Sequence, residues 1–279
     1  MRIYRKIVDF YLDASIHVGL SCFALVRMTQ SMFHIIGEDW IGYFAFFGTI
    51  VSYNFVKYEA LARANKNQIG HKLKSIAMLS FLSFMAVGFC FLQLQGITQI
   101  ISVAVFILTL LYTFPFFPNR KNARNWAGVK IYIVALCWVG VTLVLPILEA
   151  GISITSDFYL KSIQRFILIF VLILIFEIID LAKDDPLLKT VPQQMGVRRT
   201  KNLGYVLLMV FCILEFFNSN VKGNLNFQFL PLQLIMIFAI ALLVAIFLAF
   251  ANEKRSKYYT SFWVESVPIL WWLMLVFIQ

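Results

Sequence analysis

Long runs of apolar side chains alternate along the chain with short stretches that carry most of the charges. A membrane helix needs about 20 mostly apolar residues, and nine runs approach or exceed that length. We predict spans over residues 14–36, 40–62, 75–94, 97–116, 129–148, 161–183, 203–218, 230–250 and 263–279. Strands of a membrane barrel would instead alternate apolar and polar positions over about 10 residues. The pattern therefore predicts an all-α integral membrane bundle of nine transmembrane helices.

Composition supports this class. The chain has 279 residues, of which 61% are hydrophobic and 14% charged, whereas soluble domains carry about 25% charged residues. No long polar block interrupts the spans, so we expect one integral membrane domain over residues 1–279. At its start, Ile3, Ile7 and Phe10 fall on one helical face and the basic residues fall elsewhere. That arrangement predicts a short interfacial helix over residues 1–13.

The distribution of Lys and Arg predicts the orientation. Nineteen of the 24 lie in the N-terminal segment or in the connections after the second, fourth, sixth and eighth spans. The alternate connections carry only Lys161 and Lys222. Because basic loops stay cytoplasmic, we expect a cytoplasmic N-terminus and an external C-terminus in an inner or cell membrane. The net charge of +10 is thereby explained, and no nucleic-acid partner is expected.

One charged stretch follows directly on the most apolar run. FILIFVLILIF leads into EIIDLAKDDPLLKTVPQQMG, residues 177–196. A charge deep in a bilayer costs about 2.5–3.5 kcal/mol on insertion scales, so such residues are functional candidates. On a continuous helix, Glu177, Asp180 and Asp184 fall within about 60° of one another, near the cytoplasmic end of the sixth span.

Carboxylates on one face suggest a divalent cation. Oxygen-only ligands favour Mg²⁺, which completes its shell with water and substrate phosphates. The following loop supplies basic residues that could contact such a phosphate: Lys189, Arg198, Arg199 and Lys201. Alternatively, the acids merely end a helix at the membrane interface and pair with Lys183 and Lys189.

The same stretch resembles the second acidic motif of the UbiA-type membrane prenyltransferases. That motif has the form D-x-x-D-x-x-x-D and runs into a loop K-T-L-P-x-x-x-G. Glu177 replaces the first aspartate, and Asp180 and Asp184 match the others. The loop positions are matched by Lys189, Thr190, Pro192 and Gly196. The resemblance implies a UbiA-like helical bundle in which Glu177, Asp180 and Asp184 hold Mg²⁺.

The family's first motif, N-D-x-x-D-x-x-x-D, should lie at the inner end of the second span, where this chain reads YNFVKYEALARAN. Asn54 matches, and Glu59 and Lys57 are further candidates for substrate binding. The three aspartates are replaced by Phe55, Tyr58 and Ala62. This departure puts one metal position in doubt. The alternative interpretation is that Asn54 bonds another helix and that Lys57 extends to the interface.

The connection after the fourth span, LYTFPFFPNRKNARNWAGVK, resembles the family's third loop. In that loop a tyrosine followed by basic residues helps to hold diphosphate. Tyr112, Arg124 and Lys130 are the matching candidates for substrate binding. An interfacial tyrosine and topogenic positive charges are the alternative interpretation.

The resemblance implies a Mg²⁺-dependent enzyme that transfers an isoprenyl group from a polyprenyl diphosphate to an apolar acceptor, aromatic or lipid, at the cytoplasmic face. Asp180, Asp184 and Asn54 would be its catalytic residues. The missing aspartates of the first motif motivate an alternative, a catalytically inactive or altered relative that binds an isoprenoid or a membrane partner. A transporter is a third interpretation, which would require broken helices at the bilayer midplane.

The predicted topology can be tested by labelling. Single cysteines at positions 189 and 222, in a variant without the four native cysteines, should react with a membrane-impermeant maleimide from opposite sides of intact vesicles. Labelling of both positions from the same side would contradict the predicted topology.

Overall fold

The computed structural model describes residues 2–64, 70–113, 128–217 and 230–277. These ranges are helical and contain no strand. The helices are α1 (Arg2–Asp13), α2 (Ile16–Met32), α3 (Trp40–Ala64), α4 (His71–Gln93), α5 (Gly96–Thr113), α6 (Lys130–Val139), α7 (Leu145–Glu149), α8 (Ser156–Asp180), α9 (Val191–Met195), α10 (Val197–Glu215), α11 (Leu230–Phe250) and α12 (Val267–Val276). Short π-helical segments occupy Gly140–Val144 and Tyr259–Val264, and a 3₁₀ turn occupies Pro186–Leu188.

Within the described ranges, each predicted span overlaps a helix or a helix broken by a π-helical segment. In the described ranges, four stretches are long and apolar enough to cross a bilayer, and the bent pair α1 and α2 would make a fifth. The four are His71–Gln93, Lys130–Glu149, Ser156–Asp180 and Tyr259–Val276. The all-α, multi-pass membrane class is confirmed, whereas the number of nine spans and the orientation stay predictions.

The chain forms two compact units. The first comprises Met1–Thr109 and Val141–Ile152, and the second comprises Leu110–Gly140 and Ser153–Gln279. In the first unit α3 packs between α2 and α4. A Cβ on Gly19 would lie 3.1 Å from the backbone oxygen of Phe46, so the missing side chain allows α2 and α3 to approach closely. Small residues serve this purpose at helix contacts in membranes.

A proline explains one polar contact inside the first unit. Pro146 has no N–H and cannot donate to the carbonyl four residues earlier, which is that of Thr142. The Thr29 hydroxyl donates to this carbonyl oxygen over 2.7 Å. Thr29 and Thr142 are both fully buried, so the bond supplies a donor to a backbone carbonyl that water cannot reach.

The surfaces of the first unit suit a lipid environment. On α4, bulky apolar side chains point outward along the whole helix: Met78, Phe81, Leu82, Phe84, Met85, Phe89 and Leu92 are all exposed. An apolar surface of this extent marks a membrane contact. The amphipathic α1, which exposes Tyr4 and Ile7, bends by 60° from α2. Its interfacial position stays a prediction.

The second unit is built around α8. This helix is apolar on all sides and largely buried, as expected for a helix at the centre of a bundle. It contacts α6, α9, α10 and α11. Ile131 of α6 packs with Phe170 and Leu174 of α8 in the core of this unit.

A buried ion pair joins the end of α8 remote from the acids to α10. We expected Lys161 in an external connection, but α8 begins at Ser156 and Lys161 is only 9% exposed. Its amino group lies 2.6 Å from Oε2 of Glu215. Gln164 donates to the same oxygen over 2.9 Å and to the Phe211 carbonyl over 3.0 Å. These bonds set the register of the antiparallel pair α8 and α10, and they keep Lys161 inside the protein.

Replacing Glu215 by leucine should lower the free energy of unfolding by about 3–5 kcal/mol, because the Lys161 ammonium would stay buried without a counter-charge. Reversible unfolding in micelles measures this. The double variant Lys161→Met/Glu215→Leu is the control and should recover most of the loss, since an apolar pair can replace a buried ion pair. A double variant as unstable as Glu215→Leu alone would contradict the role given to the pair.

Candidate functional site

Glu177 is the residue around which the acidic stretch is organised. It lies in the last turn of α8 and is 3% exposed. Its Oε2 accepts the backbone N–H of Val191 over 3.1 Å. The Val191 side chain packs against the core of the second unit. The loop after α8 is therefore folded back over the helix end by one polar and one apolar contact.

A capping interaction shapes the part of this loop that carries Lys189. Thr190 precedes α9, and its N–H donates to Oε1 of Gln193 over 2.9 Å. This is one half of a capping box, and the sequence T-V-P-Q at residues 190–193 has the spacing typical of one. Gln193 Nε2 in turn donates to the Asp185 carbonyl over 3.2 Å. Sequence reasoning missed Gln193, although the T-x-x-Q signal was present.

Gly128 brings Lys130 to the same loop. The Gly128 N–H donates to the Leu188 carbonyl over 3.1 Å, at a φ of +71° that favours glycine. A Cβ there would lie 3.1 Å from Nε2 of Gln194. Lys130 follows as the first residue of α6. Sequence reasoning also missed Gly128. Its position two residues before a helix is the only signal that the sequence offers.

The charges of Lys130 and Asp184 both act on the Glu177 carboxylate. The structure thus groups three of the predicted site residues in the second unit, one cationic and two anionic. A basic group among carboxylates offsets their mutual repulsion. The grouping is consistent with a site for a phosphate and its counter-ion.

The prediction of one continuous helix through all three acids is wrong at Asp184. Helix α8 ends at Asp180, whose carbonyl accepts the N–H of Lys183 over 2.8 Å and that of Asp184 over 2.9 Å. The chain turns there, and Pro186 follows; a proline disfavours helix at the residue before it. The Asp180 carboxylate lies 3.6 Å from the Lys183 amino group, a contact that the alternative interpretation predicted. Both side chains are exposed to solvent, so this pair adds little stability.

The acids do not form an all-protein metal site. Within the described ranges, no three His, Cys, Asp or Glu side chains are gathered closely enough to hold a metal ion. Yet Oδ2 of Asp184 is buried and accepts no hydrogen bond from the residues described, which is costly for a carboxylate oxygen. Mg²⁺ commonly binds one or two carboxylates and takes its other ligands from water and substrate phosphates. Asp184 therefore fits a cation shared with a phosphate.

Lys189 presents its side chain outward from the loop. It is exposed, and its backbone has a φ of +45°, a region that residues other than glycine rarely adopt. Its N–H is 3.4 Å from the Pro186 carbonyl. The tight turn leaves the Lys189 side chain at the surface of the loop that follows the acids.

The residues of the first motif hold the elbow between α1 and α2. Asn54 Nδ2 donates to the Ala14 carbonyl over 3.0 Å and to Ser80 Oγ over 2.9 Å. Lys57 Nζ donates to Ser15 Oγ over 2.9 Å. Tyr58, at the place of the second aspartate, donates to the Asp13 carbonyl over 2.9 Å. Asn54 thus bonds other parts of the helical bundle, as the alternative interpretation proposed. Lys57 bonds Ser15 in the elbow.

Three predicted site residues have side chains outside the described part of the chain. Arg124 belongs to a range that is not described. Tyr112 and Glu59 lie in α5 and α3, but their side chains are not described. The substrate-binding roles of all three stay predictions.

Solved structures provide the comparison. A structure of a UbiA homologue from Archaeoglobus fulgidus bound to Cd²⁺ superposes on this chain with a TM-score of 0.61 at 12% sequence identity. The match covers 94% of this chain and 97% of the homologue. The chain has a UbiA-type fold. A structure of a digeranylgeranylglyceryl phosphate synthase matches with a TM-score of 0.56 at 14% identity, covering 98% of both chains.

A further structure of an Archaeoglobus fulgidus UbiA homologue matches with a TM-score of 0.54 at 13% identity, over 95% of this chain and 92% of the other. No family model matches the sequence, and none of the curated proteins compared with it matches significantly. The likeness is one of fold, which agrees with the resemblance seen in the acidic stretch.

Replacing Asn54 by leucine should loosen the elbow, because the Ala14 carbonyl and the Ser80 hydroxyl would both lose their amide donor. We expect the free energy of unfolding to fall by about 1–3 kcal/mol and amide exchange to accelerate around residue 14. The control is Phe55→Leu, which changes a partly exposed neighbour. Unchanged exchange at the elbow in Asn54→Leu would contradict the assignment.

Proposed function

We propose that this protein is a membrane prenyltransferase-like enzyme that transfers an isoprenyl group from a polyprenyl diphosphate to an apolar acceptor, at the predicted cytoplasmic face. The observation that carries the proposal is the loop after α8, which contains Asp184 and Lys189 and is bonded to Glu177 through Val191 and to the turn before Lys130 through Leu188. The UbiA-type fold supports it. An anionic leaving group requires cationic partners and a metal-binding carboxylate, and this arrangement offers both.

The buried, unpartnered oxygen of Asp184 makes it the first candidate to hold Mg²⁺, with Asp180 and Glu177 as further candidates. When bound, Mg²⁺ would neutralise the charge that develops on the leaving diphosphate. Lys130, Lys189 and Arg124 would donate to phosphate oxygens, and charge-assisted bonds of this kind are the strong ones. Donors held in place before the reaction stabilise the developing charge without reorganisation. The bond from Val191 to Glu177 holds the loop for that purpose.

The isoprenoid tail would lie among the apolar helices of the membrane bundle. Departure of the diphosphate leaves an allylic cation, which an aromatic ring or a lipid alcohol would capture by forming a carbon–carbon or carbon–oxygen bond and releasing a proton. The partners of the protein are therefore an isoprenyl diphosphate, an apolar acceptor and membrane lipid, with no role for nucleic acid.

A second candidate function is binding without transfer. The observation that favours it is the use of Asn54, Lys57 and Tyr58 to hold the elbow. Side chains bonded to the α1–α2 connection are not poised for a metal. Under this second hypothesis, the protein is an altered relative of the UbiA-type enzymes. It would bind an isoprenoid or a membrane partner through the second motif alone.

Replacing Asp184 by asparagine should abolish Mg²⁺-dependent binding of geranylgeranyl diphosphate, or weaken it by about tenfold or more, because an uncharged amide is a poor ligand for a hard cation. Calorimetric titration with Mg²⁺ and then with EDTA measures this. Asp185→Asn, which changes the exposed neighbouring acid, is the matched control and should bind as the parent does. Equal binding by Asp184→Asn and the parent would contradict the metal-site assignment.

Product analysis separates the two candidate functions. The parent protein, given geranylgeranyl diphosphate, Mg²⁺ and a panel of aromatic and lipid-alcohol acceptors, should release pyrophosphate together with a prenylated product. Mg²⁺-dependent binding without pyrophosphate release for any acceptor would favour the binding protein.

A further inference from the structure

Two cations meet where α10 begins and α11 ends, in the second unit. Lys201 Nζ donates to the Ala249 carbonyl over 2.7 Å, and Arg255 Nε donates to the Phe250 carbonyl over 2.9 Å. The last carbonyls of a helix have no partner within it, so both side chains cap α11. The capping bonds hold the two positive charges in adjacent places.

Aromatic rings hold the Arg255 side chain in one orientation. Its guanidinium carbon lies 5.1 Å from the centre of the Tyr259 ring and 5.8 Å from that of Phe250, within the range of cation–π attraction. Tyr259 is itself anchored, since its hydroxyl donates to the Phe247 carbonyl over 2.7 Å. With Nε used in capping, the two terminal amino groups of Arg255 make no hydrogen bond to the residues described.

The two charges lack an anionic partner in the described ranges. The positive charge of Arg255 acts on Lys201, and like charges this close repel. No carboxylate described forms an ion pair with either. The exposed residues nearest in sequence include four further cations, Arg198, Arg199, Lys254 and Lys257, and one acid, Glu253, which forms no ion pair with either cation. A bound anion would remove the repulsion, and the planar arginine fork matches the oxygens of a phosphate.

An apolar stripe on α11 leads to this pair. Leu242, Ile246 and Phe250 are spaced four residues apart and are all exposed, so they lie along one face of the helix. The stripe ends at the ring that contacts Arg255. An acyl chain following the stripe would place its headgroup phosphate at the two cations.

We propose that Lys201 and Arg255 bind the phosphate of an acidic phospholipid whose acyl chain lies along Leu242, Ile246 and Phe250. Basic clusters next to membrane helices attract anionic lipids, and the capping and ring contacts add a defined geometry to that attraction. The proposed lipid site uses none of the acids of the second motif and does not depend on the proposed transferase activity.

The test is lipid binding to the full chain in detergent, followed by native mass spectrometry. Dioleoylphosphatidylglycerol should stay bound at concentrations where dioleoylphosphatidylcholine is lost. Arg255→Gln should weaken phosphatidylglycerol binding by about tenfold, the effect of losing one charge-assisted contact, and Lys201→Gln should weaken it in the same direction. Lys254→Gln, which removes an exposed neighbouring charge, is the matched control and should bind as the parent does.

Three outcomes would overturn the proposal: equal retention of both lipids, equal losses in Arg255→Gln and Lys254→Gln, or displacement of phosphatidylglycerol by inorganic pyrophosphate at comparable concentration. The second would mean non-specific attraction, and the third would mean a site for a soluble phosphate. Size-exclusion chromatography checks folding. If Arg255→Gln does not fold, Lys201→Gln, which keeps the ring contacts of Arg255, decides the question by the same criteria.

Discussion

Hydrocarbon offers no hydrogen bonds, so a polar group within an apolar helix of this protein is stabilised when it finds a partner in the chain. Thr29 satisfies the carbonyl that Pro146 leaves without a donor, and Lys161 is matched by Glu215. The same constraint applies at the end of α8, where the Glu177 carboxylate accepts the N–H of Val191. Polar residues that look isolated in the sequence are therefore the residues that join its helices.

This constraint positions the candidate site. Helices α8 and α10 form an antiparallel pair that is tied at one end by Lys161 and Glu215 and closed at the other by the loop bearing Lys189. The loop is held to the helix end by Glu177 and to the core by Val191. Its geometry is thus set by the packing of the second unit. Asp184, whose buried Oδ2 accepts no hydrogen bond from the described residues, is the acid that suits a cation. In the first unit, Asn54, Lys57 and Tyr58 instead form hydrogen bonds to the elbow between α1 and α2.

The elements that sequence reasoning found are those with a strong local signal. Nine apolar runs each correspond to a helix, because the length of a run suffices to mark one in a membrane. The acidic stretch was recognisable from its spacing and its loop letters. Errors arose where helix ends mattered: Asp184 lies in a turn beyond α8, and Lys161 lies inside α8 rather than before it. Helix ends depend on a few residues whose partners are distant, so local patterns locate them poorly.

The sequence by itself determined the helical membrane class, the place of each apolar helix and the identity of the acids, because hydrophobic length and residue type are local properties. Only the tertiary structure decided which polar groups meet. The turn at Gly128 bonds Leu188 and so brings α6, which begins at Lys130, to the loop after α8. Lys201 lies beside Arg255, 54 positions away in sequence, because both cap one helix end. Such pairings follow from how helices pack side by side, and the sequence carries no local pattern for them.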